Sequence, residues 1–324
     1  MRAIRVHAPG GPEVLQLVEL PDPVPGAADA LVRVAAAGVN FIDVYHRAGR
    51  YPLALPFTPG QEGAGVVVAV GAAVTDLRPG DRVGWADGLG SYAELVVLPA
   101  ERLVPLPDAV TDRDAAAALL QGMTAHYLSH DACPVGPGDT ALIHAGAGGV
   151  GLLLTQIARR RGARVVTTVS TAQKEALSRA AGADEVIRYG ESDFVAEVRR
   201  LTGGAGVRVV YDSVGRTTFD GSLRCLAPRG MLVLYGGSSG AVPPLDPMEL
   251  SRHGSVFLTR PTLRHYVADR PALLRRAAQI LDWVTAGTLR LRVHATYPLG
   301  GAARAQRELE ARATAGKLLL LPSG

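Results

Sequence analysis

The run His144-Ala145-Gly146-Ala147-Gly148-Gly149-Val150-Gly151 carries the spacing G-x-G-x-x-G at 146, 148 and 151. Alone the pattern is weak, but here it follows a short apolar stretch and opens an amphipathic one. That strand-then-helix context gives the pattern its meaning. Gly146 permits a tight turn, Gly148 lets the backbone approach a pyrophosphate, and Gly151 lets helix and strand pack closely. Free amides at the helix start, Gly149 and Val150 among them, then face the anionic phosphates. About twenty residues on, at the end of the next strand, an NAD site usually carries a carboxylate for the ribose hydroxyls. Here that stretch reads Thr168-Val169-Ser170-Thr171-Ala172-Gln173-Lys174. It has no acid, and Ser170 and Lys174 suit a 2′-phosphate instead. The expected cofactor is therefore NADPH.

The elements around the loop alternate. Strands are expected at 140–145, 164–169, 185–187, 208–212 and 231–235. Helices are expected at 149–161, 172–181, 193–202 and 217–226. Repeated βα units of this kind imply a doubly wound parallel sheet. The first third is β-rich, with short strands expected at 2–8, 14–19, 31–34, 63–70, 82–85 and 92–98. Strands at that spacing suggest a small barrel. Helix is expected at 115–120, 271–286 and 302–313, β-like chain at 289–297 and a last strand at 317–321. The segment 236–240 matches G-x-S-x-G, but Pro243-Pro244 after it argues against the helix that a nucleophilic serine elbow needs.

Composition narrows the class. A chain of 324 residues favours two domains. With 48% hydrophobic and 20% charged residues it fits a soluble globular protein. No apolar run reaches the roughly 20 residues of a membrane span, and the first ten residues have no signal-peptide core. Two cysteines, Cys133 and Cys225, cannot build a disulfide framework, which makes the cytoplasm the expected compartment. The net charge is +4, and all but two of the 34 basic residues are arginine. No long basic block accompanies that charge, so no nucleic-acid partner is expected.

Several long, non-repetitive segments resemble the zinc-independent quinone oxidoreductases of the medium-chain dehydrogenase/reductase superfamily. They are residues 10–16, 37–52, 79–83, 145–152, 171–174, 208–216, 236–242, 259–263 and 310–317, and the resemblance spans nearly the whole chain. It implies an α/β fold, with a GroES-like β-rich catalytic domain interrupted by a Rossmann domain. The boundaries expected are 1–125 and 263–324 for the first and 126–262 for the second. It also implies a homodimer and a reaction in the cleft between domains. Carried over by position, Lys174, Tyr189 and Arg312 hold the 2′-phosphate with help from Ser170. Phe41, Ile42, Asp43 and Thr124 line the ribose and nicotinamide, as do the turn Gly236–Ser239, including Ser238, and Thr259-Arg260-Pro261. Family members often have lysine before Gly122, whereas this chain has Gln121.

Zinc-dependent relatives use Cys, His and Cys ligands. The matching positions here are Asn40, Gln61 and the Gln121-Gly122 region, and the four-cysteine structural loop is missing. Amides are poor substitutes for thiolate and imidazole, so no metal is expected. Without a strong Lewis acid, a quinone is the expected acceptor, or an enone activated by its own carbonyl. Asn40, Tyr45 and Tyr51 are the candidates for orienting or protonating it. An NADPH-dependent C=C reductase is the nearest alternative. A zeta-crystallin-like structural or RNA-binding protein is the alternative of another class.

Overall fold

A computed structural model of the chain describes residues 1–322. The chain divides into two compact units, one of Met1–Met123 together with the segment from Val267 onward, the other Thr124–Tyr266.

In the first unit, strands β1 (Arg2–Arg5) and β2 (Gln16–Glu19) pair antiparallel as a separate ribbon. The long strand β3 (Asp29–Val39) ends at helix α1 (Phe41–Arg47), and β4 (Glu62–Val70) follows. Next come β5 (Arg82–Trp85), β6 (Leu95–Pro99), β7 (Val104–Pro105) and helix α2 (Asp112–Tyr127). Strand β3 is the hinge of this sheet. It pairs β4 along one side, and on the other side its start pairs β6 while its end pairs the last strand of the chain. Register shifts in the β3–β4 ladder, at Leu31/Val32 and Val34/Ala36, let one strand bend through both pairings. This curled sheet is the counterpart of the expected barrel. Its core gathers Ile4, Val32, Val67, Trp85, Tyr92 and Leu103, all with almost no exposure.

The second unit is a six-stranded parallel sheet. Its strands in chain order are β8 (Thr140–Ile143), β9 (Arg164–Val169), β10 (Glu185–Arg188), β11 (Val207–Asp212), β12 (Leu226–Leu234) and β13 (Phe257–Thr259). The order across the sheet, β10-β9-β8-β11-β12-β13, reverses direction after β8. That reversal is where a doubly wound sheet opens a crevice for a ligand. Helices α3 (Gly149–Arg160), α4 (Ala172–Ala180), α5 (Phe194–Leu201) and α6 (Phe219–Cys225) connect these strands. The short α7 (Met248–Arg252) and α8 (Leu263–Tyr266) complete the unit. Strand β9 is buried along Val165–Val169 because helices cover it, and even Thr167 and Thr168 are buried there.

The chain then returns to the first unit through α9 (Arg270–Thr285), β14 (Val293–Pro298), α10 (Ala302–Glu310) and β15 (Lys317–Leu321). Strand β15 inserts between β14 and β3, so Leu318 and Leu319 stand beside Val39 and Gly38. Some bounds differ from expectation. Strand β6 begins at Leu95, because Tyr92 and Ala93 make other pairings: Tyr92 O accepts from Ile4 N at 2.8 Å, and Ala93 bridges Ala3. Strand β12 starts at Leu226 rather than Met231, since Leu226 pairs Val207 ahead of a register shift. Helix α1 has no counterpart among the expected elements.

Candidate functional site

The phosphate loop connects β8 to α3. Gly146 N donates to Thr168 O at 2.9 Å and Gly148 N to Ala145 O at 2.8 Å, which folds the loop back on itself. Ala145 takes a φ of 53°, the left-handed region that a non-glycine residue avoids unless its surroundings impose it. A Cβ on Gly146 would stand 2.5 Å from Thr167 Cβ, and one on Gly151 would collide with the Ala145 carbonyl. The helix cap is Gly148, and no side chain caps α3. A twelve-residue helix thus starts at a glycine cap that offers its first-turn amides no side-chain acceptor. The arrangement fits a pyrophosphate.

Beneath the loop lies a polar relay that sequence reasoning missed. His144 Nδ1 is 2.9 Å from Thr168 Oγ1 and Nε2 is 3.0 Å from Ser222 Oγ. Ser222 Oγ in turn donates to Asp212 Oδ2 at 2.9 Å, which leaves its oxygen to accept from Nε2–H. Burial holds the His144 pKa below the ordinary imidazole value, against the opposing pull of Asp212. Asp212 Oδ1 accepts from Val214 N and Gly215 N at 2.7 and 3.0 Å, fixing the loop after β11. That loop holds the next one. Ser213 O and Val214 O accept from Ser238 N and Ser239 N at 3.1 and 2.8 Å. The Ser239 hydroxyl donates to Val214 O at 2.7 Å, and no helix follows before Met248. The 236–240 turn is therefore a backbone-held loop.

Residues expected at the 2′-phosphate are partly gathered. Thr171 caps α4 by accepting from Lys174 N at 3.2 Å, which sets Lys174 on the first turn after β9. Tyr189 follows β10, its amide donating to Val169 O at 3.2 Å, and its side chain is exposed. Ser170, Lys174 and Tyr189 thus cluster at neighbouring strand ends of the second unit. Arg312, exposed and at a φ of 56°, belongs to the first unit. Thr124 is buried on α2, Thr259 is half-buried on β13 and Arg260 is exposed after it.

In the first unit the acceptor-side candidates fall into two groups. Tyr45 is buried on α1, and its ring lies 5.4 Å from that of Tyr51 in an edge contact, with Phe41 6.1 Å on the other side. Tyr51 and the nearby Leu55 are exposed, 41% and 45%. Phe41, Tyr45 and Tyr51 thus form one aromatic group, with Tyr51 its exposed member.

Asn40 belongs to the second group and differs from expectation. It was expected to offer a hydrogen bond to an acceptor, yet its side chain is 5% exposed and both ends are engaged. Nδ2 donates to Glu62 Oε2 at 2.8 Å and Gly38 O at 3.3 Å. Oδ1 accepts from Lys317 Nζ at 2.9 Å and Gln121 Nε2 at 3.1 Å. Asp43 was expected to line the cofactor, but its carboxyl is fully buried. Oδ2 accepts from Asn40 N at 2.9 Å and Tyr92 OH at 3.0 Å, and Oδ1 has no hydrogen-bond partner among the described residues. Asn40 and Asp43 form a capping box, a signal readable in the sequence as N-x-x-D that would have announced α1.

Burial pushes the Asp43 carboxyl up to about 7, outweighing its two hydrogen bonds and Lys317, which lower it, while Glu62 adds to the rise. Tyr92 is held well above the ordinary phenol value, again by burial first. The sign follows. The fold binds a proton at Asp43 more tightly than the unfolded chain does, so the stability this brings is complete below about pH 4 and lost as pH rises to about 7. Asp43→Asn keeps an oxygen for Asn40 N and Tyr92 OH and cannot ionise. Thermal unfolding from pH 5 to 8 is expected to show a Tm decline in the native protein that the variant lacks. Parallel curves would refute it.

The positions that match zinc ligands do not suit a metal. Asn40 and Gln121 bond to each other, Glu62 is ion-paired with the ammonium of Lys317, and the Asp43 carboxyl is bonded to Asn40 N and Tyr92 OH. A divalent cation there would meet amide donors and a positive charge.

Comparison with known proteins agrees with the two-unit architecture. Residues 26–108 match the alcohol dehydrogenase GroES-like domain, and residues 149–279 match the zinc-binding dehydrogenase domain. A mycobacterial protein solved as a complex with NADPH is 50% identical, with a TM-score of 0.96, over 99% of this chain and all of that one. The quinone oxidoreductase of Pseudomonas aeruginosa is 44% identical over 99% of both chains. A 2-haloacrylate reductase of a Burkholderia species is 42% identical over 98% of both.

Proposed function

The chain belongs to the quinone oxidoreductases of the medium-chain dehydrogenase/reductase superfamily, and from that membership we propose that it is an NADPH:quinone reductase. The observation that carries the cofactor is the phosphate cradle: glycine at 146, 148 and 151, with no side chain capping α3. When bound, NADPH supplies a hydride. The chain's own residues bind and orient. Amides of Gly149 and Val150 take the pyrophosphate, while Ser170, Lys174, Tyr189 and Arg312 take the 2′-phosphate. Phe41, Ile42, Thr124, the Gly236–Ser239 turn and Thr259–Arg260 line the rest of the cofactor. Tyr45 and Tyr51 orient the acceptor, and a tyrosine hydroxyl supplies the proton that the reduced oxygen needs.

Lys174→Ala tests the cofactor. Removing a charged partner of a phosphate costs about 1.5–3 kcal/mol, or roughly ten- to a hundredfold in the ratio of NADPH to NADH kcat/KM. An unchanged ratio would place the 2′-phosphate elsewhere. The acceptor class is tested by comparing NADPH oxidation with 1,4-benzoquinone, 9,10-phenanthrenequinone, an alkyl enone and 2-chloroacrylate. The similarity to a 2-haloacrylate reductase favours the C=C reductase as second reading, and a rate advantage for the last two substrates would put it first. RNA affinity at physiological salt, with no NADPH oxidation by any acceptor, would instead point to a binding protein.

The enzyme acts in the cytoplasm as a homodimer. No helix of the described residues is long and apolar enough to cross a membrane. The edge strand β13 carries Phe257 at 55% exposure, a site suited to a second copy of the chain.

A further inference from the structure

One buried ion pair in the first unit takes no part in the reading above. Glu62 opens β4 and Lys317 opens β15, and their side chains are 0% and 2% exposed. Each oxygen of Glu62 is used. Oε1 accepts from Leu120 N at 2.7 Å, and Oε2 accepts from Lys317 Nζ and Asn40 Nδ2. A Cβ at Gly38 would stand 2.7 Å from Lys317 Nζ and 2.6 Å from Ala116 O, so the pair occupies space that only glycine leaves open.

The pair reads Asn40 without ambiguity. An ammonium can only donate and an ionised carboxylate can only accept. Lys317 therefore takes the Asn40 oxygen and Glu62 takes its nitrogen, and the amide cannot turn over without breaking both bonds. Asn40 is the cap of α1, and its own backbone amide is held by Asp43. The first residues of that helix are Phe41 and Ile42, and Tyr45 follows one turn on.

We propose that Lys317 is a positioning residue for the reduction: paired with Glu62, it locks the Asn40 amide and so fixes the helix that presents Phe41, Ile42 and Tyr45. The ammonium stands among the positions that match zinc ligands in metal-dependent relatives, serving as a fixed cation that organises rather than activates. The inference rests on the reading that α1 lines the reaction site.

The test is the charge-balanced variant Lys317→Met/Glu62→Gln, which removes the lock without leaving a lone buried charge. In the folded variant kcat with quinone is expected to fall at least about tenfold, because small misplacement of a positioned group costs that much. The NADPH Kd, set mainly by the phosphate loop, is expected to stay within about threefold. A folded variant with the native kcat overturns the proposal. Tyr45→Phe and Tyr51→Phe are assayed beside it. If they too leave turnover unchanged, the placement of the site on this helix fails. If they reduce it while the double variant does not, only the role of Lys317 fails.

Should the double variant not fold, the native protein carries the test. Lys174 and Lys317 are its two lysines, so ¹⁵N-lysine labelling gives two ammonium signals, assigned with Lys174→Arg. The Lys317 signal is expected to exchange slowly with water and to shift when quinone is added to the NADP⁺ complex. A signal that exchanges like free lysine, or that does not respond to the acceptor, overturns the proposal.

Discussion

Gly151→Ala is expected to abolish measurable NADPH binding while the protein still folds. The added methyl group would collide with the Ala145 carbonyl, with Ala145 C and Gly146 Cα both 3.1 Å away. All three atoms are backbone, and Ala145 already sits in the left-handed region, so the loop has no soft coordinate to absorb the clash. Helix α3 must move off β8, carrying the amides of Gly149 and Val150 with it. Overpacking of this kind costs roughly 1–3 kcal/mol of stability, which a folded domain tolerates. The same displacement of a pyrophosphate site costs far more in affinity, because several amide contacts fail together. A rise in NADPH Kd of at least about a hundredfold is the expected result.

Gly148→Ala is the informative contrast. The nearest atom to its Cβ is Ala145 O at 3.1 Å, a contact that a shift of a few tenths of an ångström relieves. The methyl would intrude on the ligand rather than on the fold, so binding is expected to weaken with little change in Tm. Fluorescence titration with NADPH beside thermal unfolding separates the two. Native affinity in Gly151→Ala would show that the loop does not carry the cofactor.

Legibility in the sequence follows distance along the chain. The phosphate loop is local, with cradle, preceding strand and following helix inside about twenty residues, and its chemistry is readable from those residues alone. Five of the six parallel strands are readable for the same reason, as short runs in a strand–helix alternation, whereas the three-residue β13 is too short to announce itself. Helix α1 escapes such a reading, although Asn40 and Asp43 spell its capping box. At seven residues it is too short for periodicity to announce. Asn40 is readable as important but not as occupied. Its partners are Glu62, Gln121 and Lys317, the last 277 residues away, and no local pattern foretells that meeting. Asp43 is similar: whether a helical carboxylate points outward or toward Tyr92, 49 residues on, is settled by packing. Lys317 looks like an ordinary polar residue before an apolar strand. Only the insertion of β15 beside β3 turns it inward.

Lys317→Met alone is expected to have the largest effect on stability of any single substitution in the first unit. Methionine nearly matches the lysine stem, so the change removes a charge and leaves little cavity. What remains is the Glu62 carboxylate, fully buried, with Leu120 N and Asn40 Nδ2 as donors and no cation. Breaking a buried pair by deleting one partner costs about 3–5 kcal/mol, since the survivor keeps its desolvation penalty without the attraction that offset it. For a chain of this size the fall in Tm is on the order of 10 °C. The strand that carries Lys317 also ties the end of the chain to β3, so the loss should appear as early opening of β15, β14 and α10. Hydrogen exchange is expected to show that segment losing protection while the parallel sheet keeps it. Lys317→Met/Glu62→Gln should recover most of the lost Tm, because it removes the stranded charge. If the single variant were as stable as the native protein at pH 8, the ammonium would not be neutralising Glu62. The positions that zinc occupies in metal-dependent relatives would then be held together by hydrogen bonds alone.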